Sequence, residues 1–330
     1  MTEVIYPEER LRQKIHIRDP TLRNALSEFI GTALLLVSHL IQVKLSKKLV
    51  MYMFQFIGIG IVMQFILSGE KLNTWIQINI GWGLAIAFCV YACSKTSGAI
   101  TTAPLFSYFL KKVVNIQGGH LNPAVSIALL TMGRLPVKDF IIYCFAQTFG
   151  AFIGTVGAYG IYYDQFIKYA GNHRTIIGPK ATAICFCSFP ALHVSNTTAF
   201  FDQVAGTALL MFFVCVIIDK RIAIPGWVHP FLFGFVVIMI GTSVGMNVGY
   251  PINPARDLGP RIFMLFIGYG SQAFTYHDYY FWIPIIAPLV GAVLAAWTYH
   301  LFIGCHIPDP KPVVLSMDEA KQPLRSANDV

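Results

Sequence analysis

The chain has 330 residues, of which 55% are hydrophobic and 12% charged, with a formal net charge of +8. The apolar share is well above that of an ordinary soluble domain and the charged share about half of it, which excludes a water-soluble globular protein and marks a polytopic membrane protein. The positive balance does not call for nucleic acid as a partner, because Lys111 with Lys112, Arg134 with Lys138, and Lys220 with Arg221 flank apolar runs, where basic residues set topology.

In chain order, residues 1–22 carry Glu8, Glu9, Arg10, Arg12, Lys14, Arg18 and Asp19 and read as a solvated cytoplasmic tail, not a cleavable signal. Crossing the hydrocarbon takes about 20 apolar residues. Runs of that kind lie near 25–43, 49–67, 76–93, 139–161, 200–218, 227–246 and 281–303, seven by simple count. Residues 305–330 form a second polar, cytoplasmic tail. The seven cysteines show no CxxC spacing. Cys89, Cys93, Cys144 and Cys215 fall within spans and serve as small apolar residues, so neither a metal nor a cofactor is expected. Cys185 and Cys187 fall in the loop before residue 200, where oxidation is open to them. Asn196-Thr197-Thr198 is a glycosylation sequon, set so close to the next span that its modification is not expected.

Two landmarks recur. EFIGTALLL at 28–36 is echoed by QVAGTALLM at 203–211, and GHLNPAV at 119–125 by PINPAR at 251–256. The chain is therefore a duplicated half, the first copy covering 23–162 and the second 200–304. Each copy has two spans between its landmarks' start and its Asn-Pro-Ala, and one span after it. An odd number of spans per copy inserts consecutive copies in opposite orientations, which gives an inverted repeat with the two Asn-Pro-Ala segments approaching from opposite faces.

The chemistry of the tripeptide explains its use. Asn is a strong N-cap, Pro at the first helical position forfeits only an N–H that would go unused, and Ala propagates the helix. Asn122-Pro123-Ala124 and Asn253-Pro254-Ala255 are therefore helix starts. The apolar stretches after them reach only to about Met132 and Ile267, too short to span. Non-helical backbone at membrane depth is tolerated where it is buried in protein or lines a water-filled cavity. Two half-helices meeting there aim two positive dipole ends at one point and repel cations and protons, while the Asn122 and Asn253 amides stay free to donate to a passing hydroxyl.

With two such motifs at matching places in a duplicated membrane protein, residues 25–303 resemble the aquaporin family, and more closely its aquaglyceroporin branch. The resemblance implies an all-α membrane fold of six transmembrane helices plus two half-helices. It also implies a narrow filter formed by Trp82, Gly241, Tyr250 and Arg256. A water-only filter is narrow and polar, whereas Gly241 removes a side chain and widens the opening between two aromatic walls. Glycerol slides its hydrocarbon edge on such walls, and Arg256 is both a fixed donor and a cation barrier. Taken singly, Arg256 would be an interfacial arginine snorkelling to headgroups, and Trp82 and Tyr250 would be belt aromatics; their joint placement with Gly241 favours the filter. Asp257, Arg261, Pro284 and Ile285 match the branch. Asp257 and Arg261, at i and i+4, suggest an ion pair near the outer surface worth a few tenths of a kcal/mol. Glu28 and Gln203, equivalent in the repeat, are expected to hold the Asn-Pro-Ala loops by accepting backbone donors. His120 is either a pore-lining, loop-orienting residue or a packing histidine.

The first half departs from its twin. Glu28 to Asn122 is 94 positions and Gln203 to Asn253 is 50. Lifting out Val37 to Gln55 and Gly98 to Gln117 accounts for 39 of the 44 extra residues and joins Leu36 to Phe56 in one span, as Met211 joins Phe212. Both blocks are expected to be inserted segments. Lys44, Lys47 and Lys48 are expected to make the first helix end or bulge inside the first block, and any pore that forms is expected to leave both blocks outside it. The function implied is a passive channel for glycerol, water and small neutral solutes in the lipid bilayer of the plasma membrane, by resemblance a homotetramer and not an enzyme. A poorly conducting variant, an ion-coupled secondary transporter and a seven-span receptor are the alternatives; the last does not explain the duplication.

Overall fold

The computed structural model describes residues 40–94 and 120–309. Its main helices are α1 (Leu40–Leu67), α2 (Trp75–Ser94), α3 (Pro123–Thr131), α4 (Val137–Ile161), α5 (Tyr163–Ala170), α6 (Asn196–Ile218), α7 (His229–Val244), α8 (Pro254–Met264), α9 (Gln272–Tyr279, interrupted at Tyr276, His277 and Asp278) and α10 (Ile283–Phe302). Among the described residues there is no strand, and five helices are long and apolar enough to cross a membrane, with α7 shorter at 16 residues. Large apolar side chains such as Phe145, Phe201, Phe235 and Leu294 are exposed on the outer faces of these helices, where lipid would cover them.

The packing follows the duplication. In each half the first long helix lies against the last, α1 on α4 and α6 on α10, and the second helices of the two halves, α2 and α7, cross each other. A Cβ at Gly83 would stand 2.7 Å from the Gly234 carbonyl oxygen, and one at Gly234 would stand 2.6 Å from that of Gly83, so this crossing needs glycine on both sides. Each half-helix packs on the last helix of the opposite half, α3 on α10 and α8 on α4, which locks the two copies together.

Among the described residues, six of the seven runs counted from the sequence form apolar helices. The run at 25–43 lies almost wholly outside the described residues, as do the tails, Glu28 and the block from Gly98 to Gln117. The described part of the first block corrects the sequence reading, for α1 runs unbroken over 28 residues and neither ends nor bulges between Leu40 and Gln55. The described part of the helix begins at Leu40 and passes through Lys44, Lys47 and Lys48 without a break. Nor does this block stay outside the pore, since Val50, Met51 and Phe54 join the main core and Phe54 lines the central cavity.

At one end of the bundle, Asp219 joins the last turns of α6 and α10. It pairs with Arg221 at 2.6 Å and accepts from the Tyr299 hydroxyl at 2.9 Å, and Arg221 donates to the Gly304 carbonyl. The Arg221 bond holds the Asp219 carboxyl well below the usual carboxylate range. A lowered native pKa gives stability that is present above the ordinary value of about 3.9 and is lost as the pH falls through the lowered one.

Candidate functional site

The two half-helices start where the sequence places their caps. Asn122 precedes α3 and its Oδ1 accepts from the Ala124 N–H at 2.8 Å; Asn253 precedes α8 and accepts from Ala255 and Arg256 at 3.1 and 3.3 Å. The other end of each amide links the two motifs. Asn122 Nδ2 donates to the Ile252 carbonyl at 2.8 Å, and Asn253 Nδ2 donates to the Leu121 carbonyl at 2.8 Å. The sequence expectation that both amides stay free is therefore corrected: each spends one N–H on the opposite loop and keeps one, because a side-chain amide has two.

This reciprocity bends the backbone. Leu121 and Ile252 sit at φ 49° and 35°, a region that costs a non-glycine residue about 1–3 kcal/mol. The Asn bonds to their carbonyls hold them there, and Gln203 Oε1 accepts from the Ile252 N–H at 3.0 Å. Pro123, Ala124, Pro254 and Ala255 are buried behind the two caps.

A cavity of about 560 Å³ passes these caps. It touches His229 and Gly245 at the two ends of α7 and Trp75 and Val90 near the two ends of α2, so it follows the bundle along its length. The wall is apolar at helical spacing, with Ile78, Ile86 and Val90 on α2 and Leu210, Val214 and Ile218 on α6. Polar side chains interrupt it at His120, Asn122, Asn253 and Arg256. His120 lines the cavity, its Nδ1 lies 3.1 Å from Ser126 Oγ, and its ring packs edge-on to Tyr143.

Trp82, Gly241, Tyr250 and Arg256 come together on one side of the caps. The Arg256 guanidinium lies 4.8 Å from the Trp82 ring centroid, a cation–π contact, and its Nη1 donates to the Phe186 carbonyl at 3.2 Å. The space left by Gly241 is not open. A Cβ there would stand 2.6 Å from the Tyr250 ring and 2.5 Å from Asn79 Oδ1, so the missing side chain makes room for Tyr250, with which Trp75 packs edge-on.

Two further sequence expectations are corrected here. Asp257 and Arg261 are no surface pair: both are almost fully buried and bridge at 2.8 Å. Arg261 also donates to the carbonyls of Ala273 and Ser188 at 2.6 and 2.7 Å, and Asp257 accepts from the Ser188 N–H at 2.8 Å. The pair thereby pins the loop that carries Phe186 over the half-helix α8. Cys185 and Cys187 are buried in that same loop and not on its surface, and Cys187 lines the cavity. Asn196 donates to the His277 carbonyl at 3.0 Å, which occupies the sequon's amide. Pro284 and Ile285 open α10 and do not line the cavity.

Sequence reasoning missed Trp75, Asn79, Gln55 and the Phe186 carbonyl. Trp75, Asn79 and Trp82 at i, i+4 and i+7 share one face of α2, a signal present in WIQINIGW. A carbonyl in a loop leaves no such trace.

Comparison with known proteins agrees with this geometry. Residues 100–299 match the family described as Major intrinsic protein. The chain is 35% identical over 307 residues to Aquaporin-9 of Mus musculus, covering 93% of this chain and 91% of that protein. It is 33% identical over 300 residues to Aquaporin-10 of Homo sapiens, with 90% and 87% covered. Among solved structures, the aquaglyceroporin from Plasmodium falciparum superposes with a TM-score of 0.65 at 29% identity, covering 80% of this chain and 97% of that one. With its two reciprocally bonded Asn caps and these relatives, the chain belongs to the major intrinsic protein family, in its aquaglyceroporin branch.

Proposed function

We propose that this protein is a passive channel for glycerol, water and other small uncharged solutes that excludes ions and protons and catalyses no reaction. The observation that carries this reading is the pair of half-helix N-termini joined by Asn122 and Asn253 beside a cavity that follows the bundle along its length. Each N-terminus carries roughly half a positive charge, so a cation meets a barrier where a neutral hydroxyl meets donors. The mostly apolar wall suits the carbon edge of glycerol. Trp82, Gly241, Tyr250 and Arg256 form the filter in this reading. We place the protein in the plasma membrane as a homotetramer with both tails cytoplasmic, as the family resemblance implies. A secondary transporter would need paired acidic residues along the path, and the described residues lining the cavity include no Asp or Glu.

We also read Val37 to Gln55 and Gly98 to Gln117 as inserted segments. The repeat supports that reading, since lifting the two blocks out brings the spacing between the landmarks of the first half close to that of the second. Because α1 is continuous and well packed, the chain with its first block in place is read here as conducting, against the poorly conducting alternative.

The filter is tested by Gly241→His combined with Tyr250→Cys, the second change removing the ring that a Cβ at 241 would meet. Stopped-flow light scattering on proteoliposomes should show glycerol flux falling roughly tenfold more than water flux, the scale on which a pocket discriminates by size. Equal loss of both would exclude these positions as the selectivity filter.

A further inference from the structure

The second half-helix cannot make one of its own hydrogen bonds. In α8 the carbonyl of Arg256 should accept from the N–H four residues on, and that residue is Pro260. Proline has no N–H, and its ring presses on that carbonyl and turns it from the helix axis. A backbone acceptor away from water without a donor costs free energy. Gln55 of α1, 201 positions earlier, fills the gap, its Nε2 lying 3.2 Å from Arg256 O. A carbonyl only accepts, so the amide nitrogen must be the atom that faces it. Gln55 is fully buried, its Cβ 3.0 Å from where a Cβ at Gly154 would stand, and its Oε1 has no partner among the described residues. An amide in such surroundings is retained at a cost, and the bond to Arg256 is what it makes there.

We propose that Gln55 is a positioning residue for the filter arginine, which it tethers by the backbone while Trp82 and the Phe186 carbonyl hold the guanidinium. The proposal rests on the channel reading of this site. It also gives the first block a consequence, since Gln55 is its last residue. In a chain without the block, Leu36 would directly precede Phe56 in that register and bring no donor. Two forms of the chain, with and without residues 37–55, would then differ in how firmly the filter is held.

The test is a double-mutant cycle on the full chain. Gln55→Leu keeps the volume and removes the donor, and Pro260→Ala restores an N–H where α8 lacks one. Gln55→Leu alone should lower the glycerol-to-water permeability ratio roughly two- to tenfold, the range one net hydrogen bond carries. In the Pro260→Ala background the same change should leave the ratio within about twofold of its parent. A Gln55→Leu chain with an unchanged ratio, or one that Pro260→Ala does not rescue, would overturn the proposal. The detergent unfolding midpoint supplies a second readout, on which the same rescue is required, so the cycle decides even where a variant accumulates poorly. Glycerol impermeability of the unmutated chain would instead count against the channel reading.

Discussion

Asp257→Ala is expected to destabilise the protein by about 3–5 kcal/mol, because it leaves the Arg261 guanidinium buried without its carboxylate. The loss should be visible as a lower unfolding midpoint in detergent and as reduced accumulation in membranes. Removing both charges together, as Asp257→Ala with Arg261→Met, should cost markedly less, because an isolated buried charge is the expensive species and not the absence of the pair. Without the pair, the Ser188 N–H and carbonyl lose their partners, and the loop carrying Phe186 loosens over the filter. A cost for Asp257→Ala below about 1 kcal/mol, the range of solvent-exposed pairs, would show that water reaches this network.

Arg256→Val is expected to raise cation and proton leak. The change deletes a fixed charge beside a cavity whose wall is mostly apolar, where screening is weak. At an effective dielectric constant of about 20, a unit charge some 4–8 Å from a passing cation contributes about 2–4 kcal/mol. That corresponds to a leak roughly 30- to 1000-fold above the unmutated channel, measured as ion conductance in planar bilayers. An unchanged conductance would remove Arg256 as the barrier and leave exclusion to the two half-helix ends alone.

Much of the site could be read without coordinates because its parts have local signatures. Asn-Pro-Ala caps a helix by rules that operate over three residues, so both half-helices start where the sequence puts them, and α3 ends at Thr131, next to the expected Met132. Gln203 was legible through the repeat, and it meets the Ile252 N–H. The four residues proposed as the filter rest on resemblance, yet the meaning of Gly241 changed on contact with the fold: the side chain it lacks gives its room to Tyr250. What stayed hidden depends on depth and on partners distant in sequence. Asp257 and Arg261 look the same at i and i+4 whether they face water or protein; only the loop at Ser188 decides, and it lies 69 positions away. The first block misled for a related reason. Its lysines suggested a break, but a helix that satisfies its own backbone runs on through them, and Val50, Met51 and Phe54 carry the apolar stretch into the core.

Glycerol permeation by the unmutated full chain tests the account most directly. Purified protein reconstituted into vesicles, followed by stopped-flow light scattering under an inward glycerol gradient and no ion gradient, should show glycerol entry well above protein-free vesicles. The rate should rise in proportion to the gradient and stay the same when a sodium or proton gradient of either direction is imposed. Glycerol entry no faster than in protein-free vesicles, or entry that requires an ion gradient, would contradict the reading of this protein as a passive glycerol channel.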